Sequence, residues 1–94
     1  MIQVNLDKLK QQKLQQLDTY ITTLLQPTDY IVIKVAEAHS DDDSELLQFL
    51  QTKYKDQLQQ RKQIRIWNDK IKQEINNSTT VDQLKSIVIE YKGT

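Results

Sequence analysis

Residues 43–77 contain neither glycine nor proline, the two residues that most readily interrupt a helix. Within that stretch Leu46, Leu47, Leu50, Tyr54, Leu58, Ile64, Trp67, Ile71 and Ile75 recur at steps of three or four for most of its length, which is the period of one helix face. The spacing predicts one long amphipathic helix over 44–77. At a rise of about 1.5 Å per residue it spans roughly 50 Å, more than the width of a compact domain of this size. Its apolar stripe must therefore be covered, by other segments of this chain or by other chains.

The rest of the chain points to the same class. One glycine and one proline in 94 residues, against a background rich in Gln, Lys and Leu, favour helices with few connections over any sheet. The expectation is an all-α single domain over 1–94, an elongated helical hairpin or small bundle with a short C-terminal helix. Thirteen basic residues balance thirteen acidic ones. That balance disfavours nucleic acid as a partner and leaves little like-charge repulsion to oppose self-association. The absence of cysteine excludes disulfides, thiolate metal sites and thiol nucleophiles. Met1 to Lys10 lacks the apolar run of a signal peptide, and no stretch approaches a membrane span, so a cytoplasmic protein without membrane contact is expected.

Helix boundaries follow from caps and breakers. A first helix is predicted over 6–26, with Asn5 as N-cap and Asp7 in the first turn, its seam running through Leu6, Leu9, Leu14, Leu17, Ile21 and Leu24. Lys10 and Lys13 interrupt that seam, which suits either an ordinary buried face or a coiled-coil strand. Pro27 ends the helix, and Thr28 offers a hydroxyl N-cap to a second one with Asp29 in its first turn. The β-branched run Ile31, Val32, Ile33 and Val35 leans toward a strand by propensity. A lone strand has no partner in this chain, so a helix over 29–38 is predicted, with Tyr30, Ile33, Ala36 and Glu37 on one face. At the far end, Thr80 to Gln83 reads as a capping box that opens a last helix over 80–91 with Val81, Leu84, Ile87, Val88 and Tyr91 as its apolar face.

No catalytic constellation emerges, and neither an enzyme nor a cofactor is expected. Asp41, Asp42 and Asp43 are adjacent rather than spaced and lack the glycine of a calcium loop, so their expected role is to cap the long helix. His39 is the only histidine and is expected to be solvated at a helix end. The long helix carries a local basic surplus, with Arg61 and Arg65 one turn apart. Pairing with Asp29, Glu37 or the acidic linker is favoured over phosphate binding, because that negative charge lies in the segment that must fold back beside them. Trp67, the largest apolar group, is expected in core or interchain packing.

The order of these elements resembles a loose group of small phage proteins and C-terminal segments of phage tail proteins. The pattern comprises Thr28-Asp29-Tyr30, then Ile33, Lys34 and Glu37, the linker from Ser40 to Ser44, Tyr54 with Arg61 and Arg65, and Thr79-Thr80-Val81. The resemblance implies a structural or assembly protein of a phage tail or tail fibre, found in the host cytoplasm during assembly or in the virion. The partners it implies are other phage proteins; separately, because a single-chain hairpin leaves much of a 50 Å helix uncovered, a dimer or trimer is expected, with part of the seam around Leu58 to Ile75 buried between chains. Asp29, Tyr30, Glu37, Tyr54, Leu58, Arg61, Arg65, Trp67 and Ile71 are the candidate interaction residues. A phage-encoded regulator that binds a host protein is the alternative from a different class, with nucleic acid binding along Arg61 to Lys72 as a third.

Overall fold

The computed structural model describes residues 5–93, and every regular element among them is helical. The order is α1 (Leu6–Leu25), a 3-10 turn (Gln26–Thr28), α2 (Asp29–Ser40), α3 (Ser44–Lys53), α4 (Lys55–Asn77) and α5 (Val81–Ser86). The all-α expectation holds. The long helix is also present, interrupted at Tyr54 alone, where the backbone departs to φ −106°, ψ 24°. Hydrogen bonding crosses the interruption: the Tyr54 N–H donates to the Leu50 carbonyl at 2.9 Å, and the Leu58 N–H to the Tyr54 carbonyl at 2.9 Å.

α1 packs against α4 and α2 against α3, so the molecule is an antiparallel hairpin with two segmented arms. It measures 64 × 26 × 19 Å. The radius of gyration, 17.8 Å, exceeds the roughly 12 Å of a compact domain of this length. Two separate cores result. One joins Leu17 and Ile21 of α1 to Ile64, Ile71 and Ile75 of α4 and Leu84 of α5. The smaller one, near the closed end, joins Ile31 and Ala38 of α2 to Leu50 and Tyr54. The buried face of α2 is thus Ile31, Val35 and Ala38, while Tyr30, Ile33 and Glu37, placed together by the sequence pattern, lie on an open flank. Among the described residues no helix is long and apolar enough to cross a membrane.

The turn between the arms uses the three aspartates in different ways. Asp42 takes the left-handed conformation (φ 52°), its N–H donates to the His39 carbonyl at 3.2 Å, and the Asp43 N–H donates to the Ala38 carbonyl at 3.0 Å. This pair of bonds is a Schellman ending, with aspartate where glycine is usual. Asp43 then caps α3, its Oδ1 accepting from the Leu46 N–H at 3.0 Å. Replacing Asp42 with glycine removes the Cβ penalty of the left-handed conformation and one of three adjacent charges. Asp42→Gly is expected to stabilise the fold by about 0.5–1 kcal/mol, read as a higher urea midpoint by circular dichroism.

Two expected features differ. Thr28 does not cap α2; its hydroxyl donates back to the Leu25 carbonyl at 3.1 Å, because the 3-10 turn that contains Pro27 leaves that carbonyl in need of a donor. The last helix stops at Ser86, not at residue 91, and the chain continues extended. Ile87, Ile89 and Tyr91 turn inward while Val88 and Glu90 are exposed, a period of two rather than 3.6. The Tyr91 N–H donates to the Tyr20 hydroxyl at 2.9 Å, fastening this segment to α1. Half of the capping box that opens α5 forms as expected, Thr80 Oγ1 accepting from the Gln83 N–H; the return bond is shifted by one residue, Gln83 Oε1 accepting from the N–H of Thr79, not of Thr80, at 2.8 Å.

Candidate functional site

The nine residues singled out in the sequence do not form one site. Trp67, expected in core or interchain packing, and Ile71, on the seam expected to be partly buried between chains, both pack inside this one. Ile71 is buried in the larger core, and Trp67 stands between Tyr20 and Tyr91 at centroid distances of 5.8 and 5.5 Å. The seam from Leu58 to Ile75 is therefore covered from within, by α1, α5 and the extended C-terminal segment, with Leu58 packing on the smaller core. Asn68, which falls between Ile64 and Ile71 on this seam, is partly buried, and its Oδ1 has no protein hydrogen-bond partner.

Arg61 and Asp29 meet at the joint of the arms. Arg61 Nη1 donates to the Leu25 carbonyl at 2.9 Å, to Thr28 Oγ1 at 2.7 Å and to Asp29 Oδ1 at 3.1 Å. This is the one ion pair among the described residues, with the Arg61 side chain 14% exposed and that of Asp29 54%. An orphan carbonyl at the end of α1 and a charge at the start of α2 are held by one guanidinium nitrogen. Arg65, one turn on, is exposed, and Glu37 lies away from both arginines on the flank of α2. The expected Arg61–Asp29 pairing is present; a pairing of Glu37 with either arginine is not, because Glu37 lies two turns beyond Asp29, toward the closed end.

What does come together is a face at the closed end of the hairpin. Tyr30 and Ile33 of α2 and Leu46 and Phe49 of α3 are 48, 60, 41 and 58% exposed, a density of open apolar groups found nowhere else among the described residues. Between the helices runs a groove of about 300 Å³ lined by Lys34, Glu37, Leu46, Phe49, Lys53 and Tyr54. The Tyr30 and Tyr54 rings meet edge to face at 5.9 Å. Lys34 Nζ lies 5.6 Å from the centre of the Tyr30 ring and 6.0 Å from that of Tyr54; Lys53 Nζ lies 5.2 Å from Tyr54 and 5.8 Å from Phe49. Ammonium groups over ring faces keep the lysine stems flat against the apolar floor. Such a surface accepts apolar side chains flanked by carboxylates.

Tyr30, Glu37 and Tyr54 of the candidate residues belong to this face; Ile33, Lys34, Leu46, Phe49 and Lys53 are the members that sequence reasoning did not assign to it. Leu46 fits the helix stripe, and its exposure follows from α2 packing on Leu47 and Leu50 instead. Phe49 is off the stripe altogether, and a large apolar group off the covered face was the available signal. Comparison with protein-family models, with curated proteins and with solved structures finds no match.

Proposed function

We propose that this chain is a protein-interaction module that docks through the α2–α3 end of the hairpin, and that its setting is the assembly of a phage tail or tail fibre. The open apolar face of Tyr30, Ile33, Leu46 and Phe49 carries the reading. A chain of this size has few apolar groups, and leaving four large ones open at one end while the stripe of the long helix is covered from within marks that end for contact. The phage setting is supported by the sequence pattern alone, from Thr28-Asp29-Tyr30 to Thr79-Thr80-Val81.

A tagged copy of the chain is expected to co-purify with tail particles on a density gradient. The double variant Leu46→Gln/Phe49→Gln, with its helical circular dichroism retained, is expected to be lost from them, because both side chains are exposed and contribute to contact rather than to the core. Equal incorporation of the folded variant would defeat the docking assignment. Absence of the unmodified chain from particles, with capture of a host protein that depends on Leu46 and Phe49, would instead move the same face to a regulator that binds a host protein.

A further inference from the structure

We infer that the partner seated on this face is a helix that brings a carboxylate to Tyr54, between Lys34 and Lys53, and apolar side chains to Leu46 and Phe49. The inference rests on the docking assignment above and names the chemistry of the partner. Its basis is where the two lysines converge. Lys34 comes from α2 and Lys53 from α3, yet both ammonium groups stand by the one ring of Tyr54, at 6.0 and 5.2 Å from its centre. Those distances laid end to end put the two charges no more than about 11 Å apart. Tyr54 is buried in the smaller core, so its ring is a fixed floor beneath them. Neither lysine has an acidic partner, since the one ion pair among the described residues is Arg61–Asp29.

Two like charges gathered over one ring repel, and a single carboxylate placed between them offsets both at once. Glu37 lines the same groove one turn beyond Lys34, on the side away from Tyr54. It opposes negative charge there, so the partner's carboxylate is confined to the Tyr54 end and a uniformly acidic partner, such as a nucleic acid backbone, is disfavoured. The rest of the groove is lined by Leu46, Phe49 and Leu50, which take apolar side chains. Every regular element among the described residues is helical, so no strand edge is offered to an extended chain, and a third helix is what a groove between two helices accepts. From Leu46 to Lys53 α3 advances about 10 Å, or two turns. Apolar anchors three or four residues apart on the partner, followed one turn on by Asp or Glu, match that length.

Methionine keeps the length and apolar stem of lysine without its charge, so Lys34→Met/Lys53→Met separates the two contributions. Each tagged variant is co-expressed with an equal amount of untagged wild type, and the ratio of the two on the tail particles, or on a captured host protein, reads relative affinity. The methionine variant is expected to fall at least about tenfold, while Lys34→Arg/Lys53→Arg stays within roughly twofold of wild type and Glu37→Gln does not fall. Carbodiimide, which joins an amine to a carboxylate with no spacer, is expected to link Lys34 or Lys53 to an Asp or Glu of the partner, and mass spectrometry of the linked peptide reads the residues before it. Circular dichroism verifies that each variant is folded. A methionine variant that binds as well as wild type, equal loss of the methionine and arginine variants, or a linked segment without apolar residues at helical spacing would each overturn the inference. Retention of a labelled single-stranded DNA by wild type but not by the methionine variant would replace the helix with nucleic acid. In all these cases continued exclusion of Leu46→Gln/Phe49→Gln leaves the docking assignment standing; equal binding of that variant removes both.

Discussion

Replacing Trp67 with alanine is expected to destabilise the fold by about 2–4 kcal/mol, somewhat less than the full cost of deleting a wholly buried tryptophan because the ring is partly exposed. Its two edge-on or tilted partners, Tyr20 at 5.8 Å and Tyr91 at 5.5 Å, add to the area term. The ring lies where α1, α4 and the extended C-terminal segment converge, so its removal loosens three elements at once. For a chain of this length that corresponds to a fall of roughly 10–20 °C in Tm. A melt followed at 222 nm measures it. Trp67 is the only tryptophan, so its fluorescence in the wild type reports the same junction, and Tyr91→Ala should red-shift that emission in the folded state. A Tm within 3 °C or so of wild type for Trp67→Ala would mean that the junction contributes little to stability.

Arg61→Ala is expected to cost about 2–3 kcal/mol, and Asp29→Asn well under 1. The ion pair is the visible feature, yet Asp29 is more than half exposed, and pairs of that kind contribute little. The larger part comes from the bonds to the Leu25 carbonyl and Thr28 Oγ1, where a charged donor satisfies groups freed by the Pro27 break. Urea denaturation of the two variants separates these contributions. Equal losses would assign the joint to the ion pair instead.

Much of the helical content was legible because it rests on local rules. The absence of glycine and proline over 43–77 and the recurrence of apolar groups every three or four residues leave a helix as the only regular choice there. The helix at 29–40 was legible in spite of its β-branched run, since a single strand leaves its backbone groups unpaired. Ile87 to Tyr91 was not. Leu84, Ile87, Val88 and Tyr91 satisfy a helical period, while Ile87, Ile89 and Tyr91 satisfy a period of two, and the choice between them is made by a surface outside the segment: Tyr20 on α1 and Trp67 on α4. The docking face was only half legible, because exposure of Leu46 and Phe49 depends on the angle at which α2 lies against α3.

By itself the sequence determined that a long apolar stripe exists, which residues form it and that something must cover it. Only the tertiary structure decided what the cover is. Hydrophobic burial is proportional to area and blind to direction, so a stripe states a need without naming its partner. In this chain α1 and the extended C-terminal segment fill the seam over α4. The apolar surface left for contact consequently lies at the closed end, on Tyr30, Ile33, Leu46 and Phe49, rather than on the long helix that first called for a partner.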